Sequence, residues 1–95
     1  MKIYLSGPMR GKHDDNRAVF NRYAEQLKAE GHTVYNPAVE EAGLSRRDYF
    51  RGDMIWICDH AEAMAMIPGW EWSAGARAEH ALAQALDDIE FIYLT

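Results

Sequence analysis

The chain has 95 residues, 48% of them hydrophobic, with three Trp, five Tyr, three Phe and a net charge of −5. That composition gives one domain over residues 1–95 and excludes a disordered chain, but at this length folding hides only about 60–65% of the unfolded surface, so the stability margin is thin. No run of cations exceeds Arg46-Arg47, which excludes a surface that coats DNA or RNA and leaves room for one small anionic ligand.

Ile3-Tyr4-Leu5 is a short β-type run that stops at Ser6-Gly7-Pro8. Asp14 or Asp15 is placed to cap a helix whose apolar stripe is Phe20, Tyr23, Ala24 and Leu27, with Gly31 where a C′ glycine belongs. Thr33-Val34-Tyr35 is a second strand ended by Asn36-Pro37. Ser45 and Asp48 resemble a capping box ahead of a Phe50, Met54, Ile57 stripe. Ala63 to Ile67 is continuously apolar, as a strand covered on both faces requires. Pro68-Gly69 ends it, Ser73 opens an alanine-rich helix to about Leu86, and Ile89 to Leu94 reads as the last strand.

The alternation βαβαβαβ predicts an α/β three-layer sandwich, flavodoxin-like or Rossmann-like, on a four-stranded parallel sheet in the order 2-1-3-4. The topological switch point then lies between the first and third strands. Ligands bind there, beyond the carboxyl ends of the strands. The two tips that meet are Ser6–Gly11 and Pro68–Ser73. Cys58 cannot form an internal disulfide and is expected as a small buried hydrophobe in a reducing compartment. With no apolar run near ~18 residues and no signal-peptide layout in MKIYLSGP, no membrane contact is expected and the cytoplasm is the expected location.

The last helix carries the sharpest chemical signal. Arg77, His80, Gln84 and Asp87 form its polar face, and Gly75, Glu79, Leu82, Ala83 and Leu86 the opposite stripe. Glu79 is thus an acid on an apolar side, one turn from a helix start whose dipole favours its ionised form. Such a carboxylate either bends out to water or a lysine, or acts in a cleft as a nucleophile. Asp53 is the second candidate, sharing a face with Tyr49, Trp56 and His60. Glycosidic cleavage commonly uses two carboxyls, although Asp53 read alone is more simply a solvated or ion-paired group. Asp59 and Glu62 are weaker alternatives. In the loop from Ser6 to Gly11, the two glycines allow close backbone approach and Arg10 can grip a phosphate, without P-loop spacing. Ser73 can cap its helix and bind an anion there. The four histidines, at 13, 32, 60 and 80, lack metal spacing and read as surface or helix-face residues, so no metal site is expected. Trp70 and Trp72 either stack on a base or anchor their loop.

Together these segments resemble the nucleoside 2-deoxyribosyltransferase superfamily, over nearly the whole chain. The superfamily includes 2′-deoxynucleoside 5′-monophosphate N-hydrolases, cytidine monophosphate hydrolases and a group of short phage proteins. IYLSGPMRG is similar to the family's first strand and loop, which implies that Tyr4 orients the nucleophile and that the loop holds sugar or phosphate. Asp53 with Trp56 resembles an Asp-x-x-Trp segment whose Asp contacts the sugar or shuttles a proton. SAGARAE, Ser73 to Glu79 and including Gly75, is similar to Ser-x-Gly-x-x-x-Glu, in which the Glu is the nucleophile. The monophosphate hydrolases resemble this chain at Arg10 and Ser73, both phosphate ligands there, and often carry Ser at the position of Pro8, where the transferases often carry Pro. The sequence ends just after the fourth strand, without the later segments that in longer relatives supply ligands to a neighbouring subunit.

The resemblance implies cleavage of an N-glycosidic bond by Glu79, with Tyr4 and Asp53 assisting and with Ser6, Gly7, Arg10, Gly11, Ser73 and Gly75 binding substrate. No cofactor is implied. The rival reading is a nucleotide-binding sensor that keeps the pocket without turnover. The aromatic surplus over one small sheet predicts a homo-oligomer through the second and third helices, with Trp56, Tyr49 or Phe50 at the interface.

Overall fold

Alternation along two strands sorts the core into two layers. The computed structural model describes residues 1–40 and 43–95. In it β1 (Lys2–Ser6) and β3 (Ala63–Met66) are the centre of a four-stranded sheet, with β2 (Thr33–Tyr35) and β4 (Glu90–Tyr93) at its edges, in the order β2-β1-β3-β4. Every pairing in it is parallel. Side chains two apart share a face. Ile3, Leu5, Ala63, Ala65 and Ile67 therefore pack on one side with Phe20, Tyr23, Ala24 and Leu27. Tyr4, Met64 and Met66 pack on the other with Ile57 and Ala83. Because β3 is buried on both faces, it reads as an unbroken apolar run.

The helices between these strands are α1 (Arg17–Ala29), α2 (Arg46–His60) and α3 (Ala74–Leu86). From β1 the chain crosses to one neighbour through α1, then returns past β1 to β3 and on to β4. Right-handed crossovers put α1 on one face and α2 and α3 on the other. The result is a flavodoxin-like three-layer sandwich, with its switch point between β1 and β3. None of the described helices is long and apolar enough to cross a membrane.

Three local expectations need correction. Neither Asp14 nor Asp15 caps α1. Asp14, Asp15 and Asn16 instead take left-handed backbone angles (φ 48°, 53° and 63°) in a short turn before it. Asp and Asn tolerate that region better than other side chains. Two contacts fix the turn: Asn16 Nδ2 donates to the Pro8 carbonyl at 2.9 Å, and Arg17 pairs with Asp14 at 3.5 Å. Cys58 is exposed, because it follows the inward-facing Ile57 by about 100° around α2.

His80 does not belong to a solvated face either. The buried stripe of α3 is Ala76, Glu79, His80 and Ala83, while Leu86 is exposed. The imidazole lies between the rings of Trp70 and Phe91, 4.3 Å from each, and its Nε2 is 2.9 Å from the Tyr93 hydroxyl. Burial holds its pKa below the ordinary value, favouring the neutral ring.

The other punctuation reads as the sequence implies. Gly31 closes α1 in a Schellman motif, in which its N–H donates to the Lys28 carbonyl and that of His32 to the Leu27 carbonyl. Ser45 and Asp48 form a full capping box on α2. Ser73 caps α3 by accepting from the Ala76 N–H at 3.2 Å.

Gly7 lies where β1 leaves the sheet beside the end of β3. A Cβ there would stand 2.6 Å from the Ile67 Cβ, a contact that only a backbone shift can relieve. Gly7→Ala is expected to destabilise the protein by about 1–3 kcal/mol, as overpacking typically does. Gly52, on the open side of α2 with nothing within 4 Å, is the control, and its change to Ala should stabilise by about 0.5–1 kcal/mol. Urea melts of the two variants measure both, and equal stability for them would contradict this packing account.

Candidate active site

The tips of β1 and β3, the start of α3 and one face of α2 enclose a cleft of about 610 Å³. That volume falls within the roughly 300–1,000 Å³ of small-molecule sites. Its floor follows from the alternation of β1. Tyr4 and Ser6 point to the same side of the sheet as α3, and Glu79 comes down to meet them from the first turns of that helix. Tyr4 Oη donates to Glu79 Oε2 at 2.6 Å, and Ser6 Oγ donates to Glu79 Oε1 at 2.7 Å.

Glu79 is only 7% exposed, yet it lines the cleft. Among the described residues no cation lies within salt-bridge distance of it, and two hydroxyls take that place. Burial raises its pKa to about 7. The Tyr4 and Ser6 hydrogen bonds pull the other way, and the charge of Glu40 adds to the rise. Near neutrality the group is thus divided between acid and anion. As the anion it keeps a free lone pair on each oxygen. Burial first, then the nearby charges of Glu79 and Asp53, push the Tyr4 phenol well above its ordinary value, so it stays a donor.

Asp53 is 6% exposed and also lines the cleft. The sequence stripe sets it beside Phe50, Met54 and Ile57, but α2 turns it fully inward, where the Tyr35 hydroxyl reaches its Oδ1 at 3.1 Å. The same hydroxyl lies 2.6 Å from Glu40 Oε1. Burial raises Asp53 to about 8, followed by its hydrogen bond with Glu40 and the charges of Glu79 and Glu40. Tyr35 stacks on Tyr4 with centroids 5.3 Å apart, and Trp56 lies 5.0 Å from Tyr35. These rings wall the carboxyls in.

Of the expected binding residues, Gly7, Arg10, Ser73 and Gly75 line the cleft. A Cβ on Gly75 would stand 3.2 Å from the Phe50 ring, so this glycine lets α2 and α3 close around the site. Two assignments change. Ser6 is fully buried and spends its hydroxyl on Glu79, so it holds the carboxylate rather than a ligand. Gly11 sits in an exposed turn at φ +80° and is not among the lining residues.

The two tip tryptophans differ in their surroundings. Trp70 anchors its loop on His80, while Trp72, 89% exposed, stands at the rim. Tyr49 and Phe50 line the cleft, and Trp56 packs on Tyr35 and Tyr4. Asp59 is exposed and not among the lining residues, and Glu62 caps β1 by accepting from the Lys2 N–H at 2.7 Å.

Residues that the sequence did not single out complete the site. Glu40 joins Asp53, and Lys12, Arg17 and Arg46 add cations to Arg10. Arg17 is occupied by Asp14, Asp15 and the Ala38 carbonyl. Tyr35 could have been found from its place at the carboxyl end of a strand next to β1. Glu40 follows an irregular turn and carries no such signal.

A family model described as "Domain of unknown function (DUF4406)" matches residues 1–90, and the chain belongs to that family. Comparison with curated proteins gives no match.

Glu79 and Asp53 both bind protons more tightly folded than unfolded, where ordinary values of 4.5 and 3.8 apply. Their contribution to stability is therefore fully present below about pH 4 and is lost as pH rises through about 7 and 8. Chemical melts at pH 5 and pH 8 should show the wild type losing stability across this window. Glu79→Gln should remove the share due to Glu79, on the order of 3 kcal/mol at about 1.4 kcal/mol per unit. Parallel slopes for the two proteins would show that the carboxyl is not held as described.

Proposed function

We propose that this protein cleaves the N-glycosidic bond of a nucleoside or nucleoside 5′-monophosphate in the cytoplasm, with Glu79 as the nucleophile. One observation carries the reading: a carboxylate lies at the bottom of a ligand-sized cleft, in place of an apolar residue, and is held from both sides by hydroxyls. A purely structural acid would be better stabilised by a cation or by water. This one is oriented by neutral donors and left with lone pairs toward the cleft.

The chemistry follows from those partners. Tyr4 and Ser6 fix the carboxylate so that one oxygen meets the anomeric carbon, and the approach of a developing oxocarbenium ion favours the anionic form. Asp53, held as the acid, protonates the leaving base, and the same group then takes a proton from the attacking water. Arg10, with Lys12 and Arg46 on the same rim, supplies charge for a 5′-phosphate, and the capping Ser73 retains its own O–H for donation. Release of the sugar to water gives a hydrolase, and release to a second base gives a transferase. No cofactor enters these steps. We also read the active form as a homo-oligomer formed through α2 and α3.

Release of free base from a panel of nucleosides and monophosphates tests the reading. Glu79→Gln should lower turnover at least about a thousandfold while substrate still binds. Tyr4→Phe removes one charge-assisted hydrogen bond and should cost about 10- to 100-fold. Near-normal turnover in Glu79→Gln would exclude the nucleophile. Tight monophosphate binding by a wild type that releases no base would favour a sensor instead.

A further inference from the structure

Tyr35 presents a single hydroxyl hydrogen to two carboxyl groups. Its Oη lies 2.6 Å from Glu40 Oε1 and 3.1 Å from Asp53 Oδ1. A phenol has one O–H to give, and the shorter contact assigns it to Glu40. Asp53 and Glu40 are also hydrogen-bonded to each other, which requires a proton on one of the two carboxyls. Two ionised carboxylates would leave one of them short of a donor and would set like charges together in a partly dry cleft.

Among the described residues no cation forms a salt bridge with Asp53. Tyr4 from β1 is hydrogen-bonded to both Glu79 and Asp53, and Glu79 from α3 is a further acid. Arg17 and Arg46 also line the cleft.

We propose that Glu40 is a positioning residue for Asp53: the two carboxyls hold one proton between them beside the Tyr35 hydroxyl, so that Asp53 meets the substrate as a carboxylic acid. The use made of that acid rests on the glycosidase reading above. A Glu79 oxygen bonds to the anomeric carbon while the C–N bond breaks, its electron pair stays on the base nitrogen, and that nitrogen takes the Asp53 proton. Water then bonds to the anomeric carbon, the bond to Glu79 breaks with its electron pair returning to the carboxylate, and Asp53 takes the proton that the water loses. Asp53 ends protonated again.

Carboxyl-carbon NMR titration of the side chains in the wild type, Glu40→Gln and Tyr35→Phe tests the proton sharing without any substrate. The wild-type Asp53 should titrate well above the ordinary carboxylate range. Its midpoint should fall by about one unit or more in Glu40→Gln, where the like charge is gone. In Tyr35→Phe it should instead rise, because the phenol's hydrogen bond holds the Asp53 value down.

An unchanged Asp53 midpoint in Glu40→Gln would mean that the two carboxyls share no proton, and would overturn the proposal. So would an ordinary midpoint in the wild type, which decides the matter even if a variant fails to fold. On the same reading, the alkaline limb of kcat/KM should move down by about one unit in Glu40→Gln, a roughly fivefold loss at pH 8 with little loss at pH 6. If no substrate releases base, the glycosidase reading fails while the titration still decides whether the proton is shared.

Discussion

The fold turns on a carboxylate buried between two hydroxyls. Glu79 sits on the inward stripe of α3, and its position is tolerable only because Tyr4 and Ser6 donate to both of its oxygens. Each of those hydroxyls would itself be an unsatisfied buried group without the acid, at a cost of about 1–3 kcal/mol. The three are mutually dependent. That dependence ties the last helix to the first strand across 75 positions of sequence, and it couples the stability of the sheet to the protonation state of one side chain.

The sheet order makes this arrangement available. Because β1 lies between β2 and β3, its carboxyl end opens at the switch point, and side chains two apart deliver Tyr4 and Ser6 to the same face. The opposite residues, Ile3 and Leu5, are spent on the α1 layer. Small residues then set how closely the cleft walls approach. Gly7 lets the β1 tip pass Ile67, and Gly75 lets α3 close on Phe50. A second carboxyl, Asp53, arrives from α2 into a wall of Tyr4, Tyr35 and Trp56 rings. Two acids in one cleft, both raised by burial, give a site that divides charge and proton between them near neutral pH.

Much of this was legible in sequence because periodicity and punctuation are local. The order of strands and helices, the capping box at Ser45 and the C′ glycine at Gly31 follow from residue types within a few positions of one another. Glu79 was visible as an acid on an apolar stripe. What sequence could not give was partnership at long range. Ser6 reads as a ligand-binding loop residue until its hydroxyl is seen on Glu79. His80 reads as polar until Trp70, Phe91 and Tyr93 surround it. Glu40 has no periodic context at all, since it follows a short 3-10 turn after β2. The left-handed run Asp14–Asn16 escaped for a different reason: the same residue types also make good helix caps, and the contacts of Asn16 to Pro8 and of Arg17 to Asp14 decide between the two.

The central claim is that Glu79 attacks an anomeric carbon. A sugar carrying fluorine at C2 disfavours the oxocarbenium-like state, so a covalent intermediate would accumulate rather than turn over. Incubation with 2-fluoro nucleosides and their 5′-monophosphates, followed by proteolysis and peptide mass spectrometry, locates any adduct. The account predicts a fluoroglycosyl ester on Glu79, absent in Glu79→Gln. An adduct on Asp53 or Glu40 instead, or free base released from these analogues with no adduct on the chain, would contradict it.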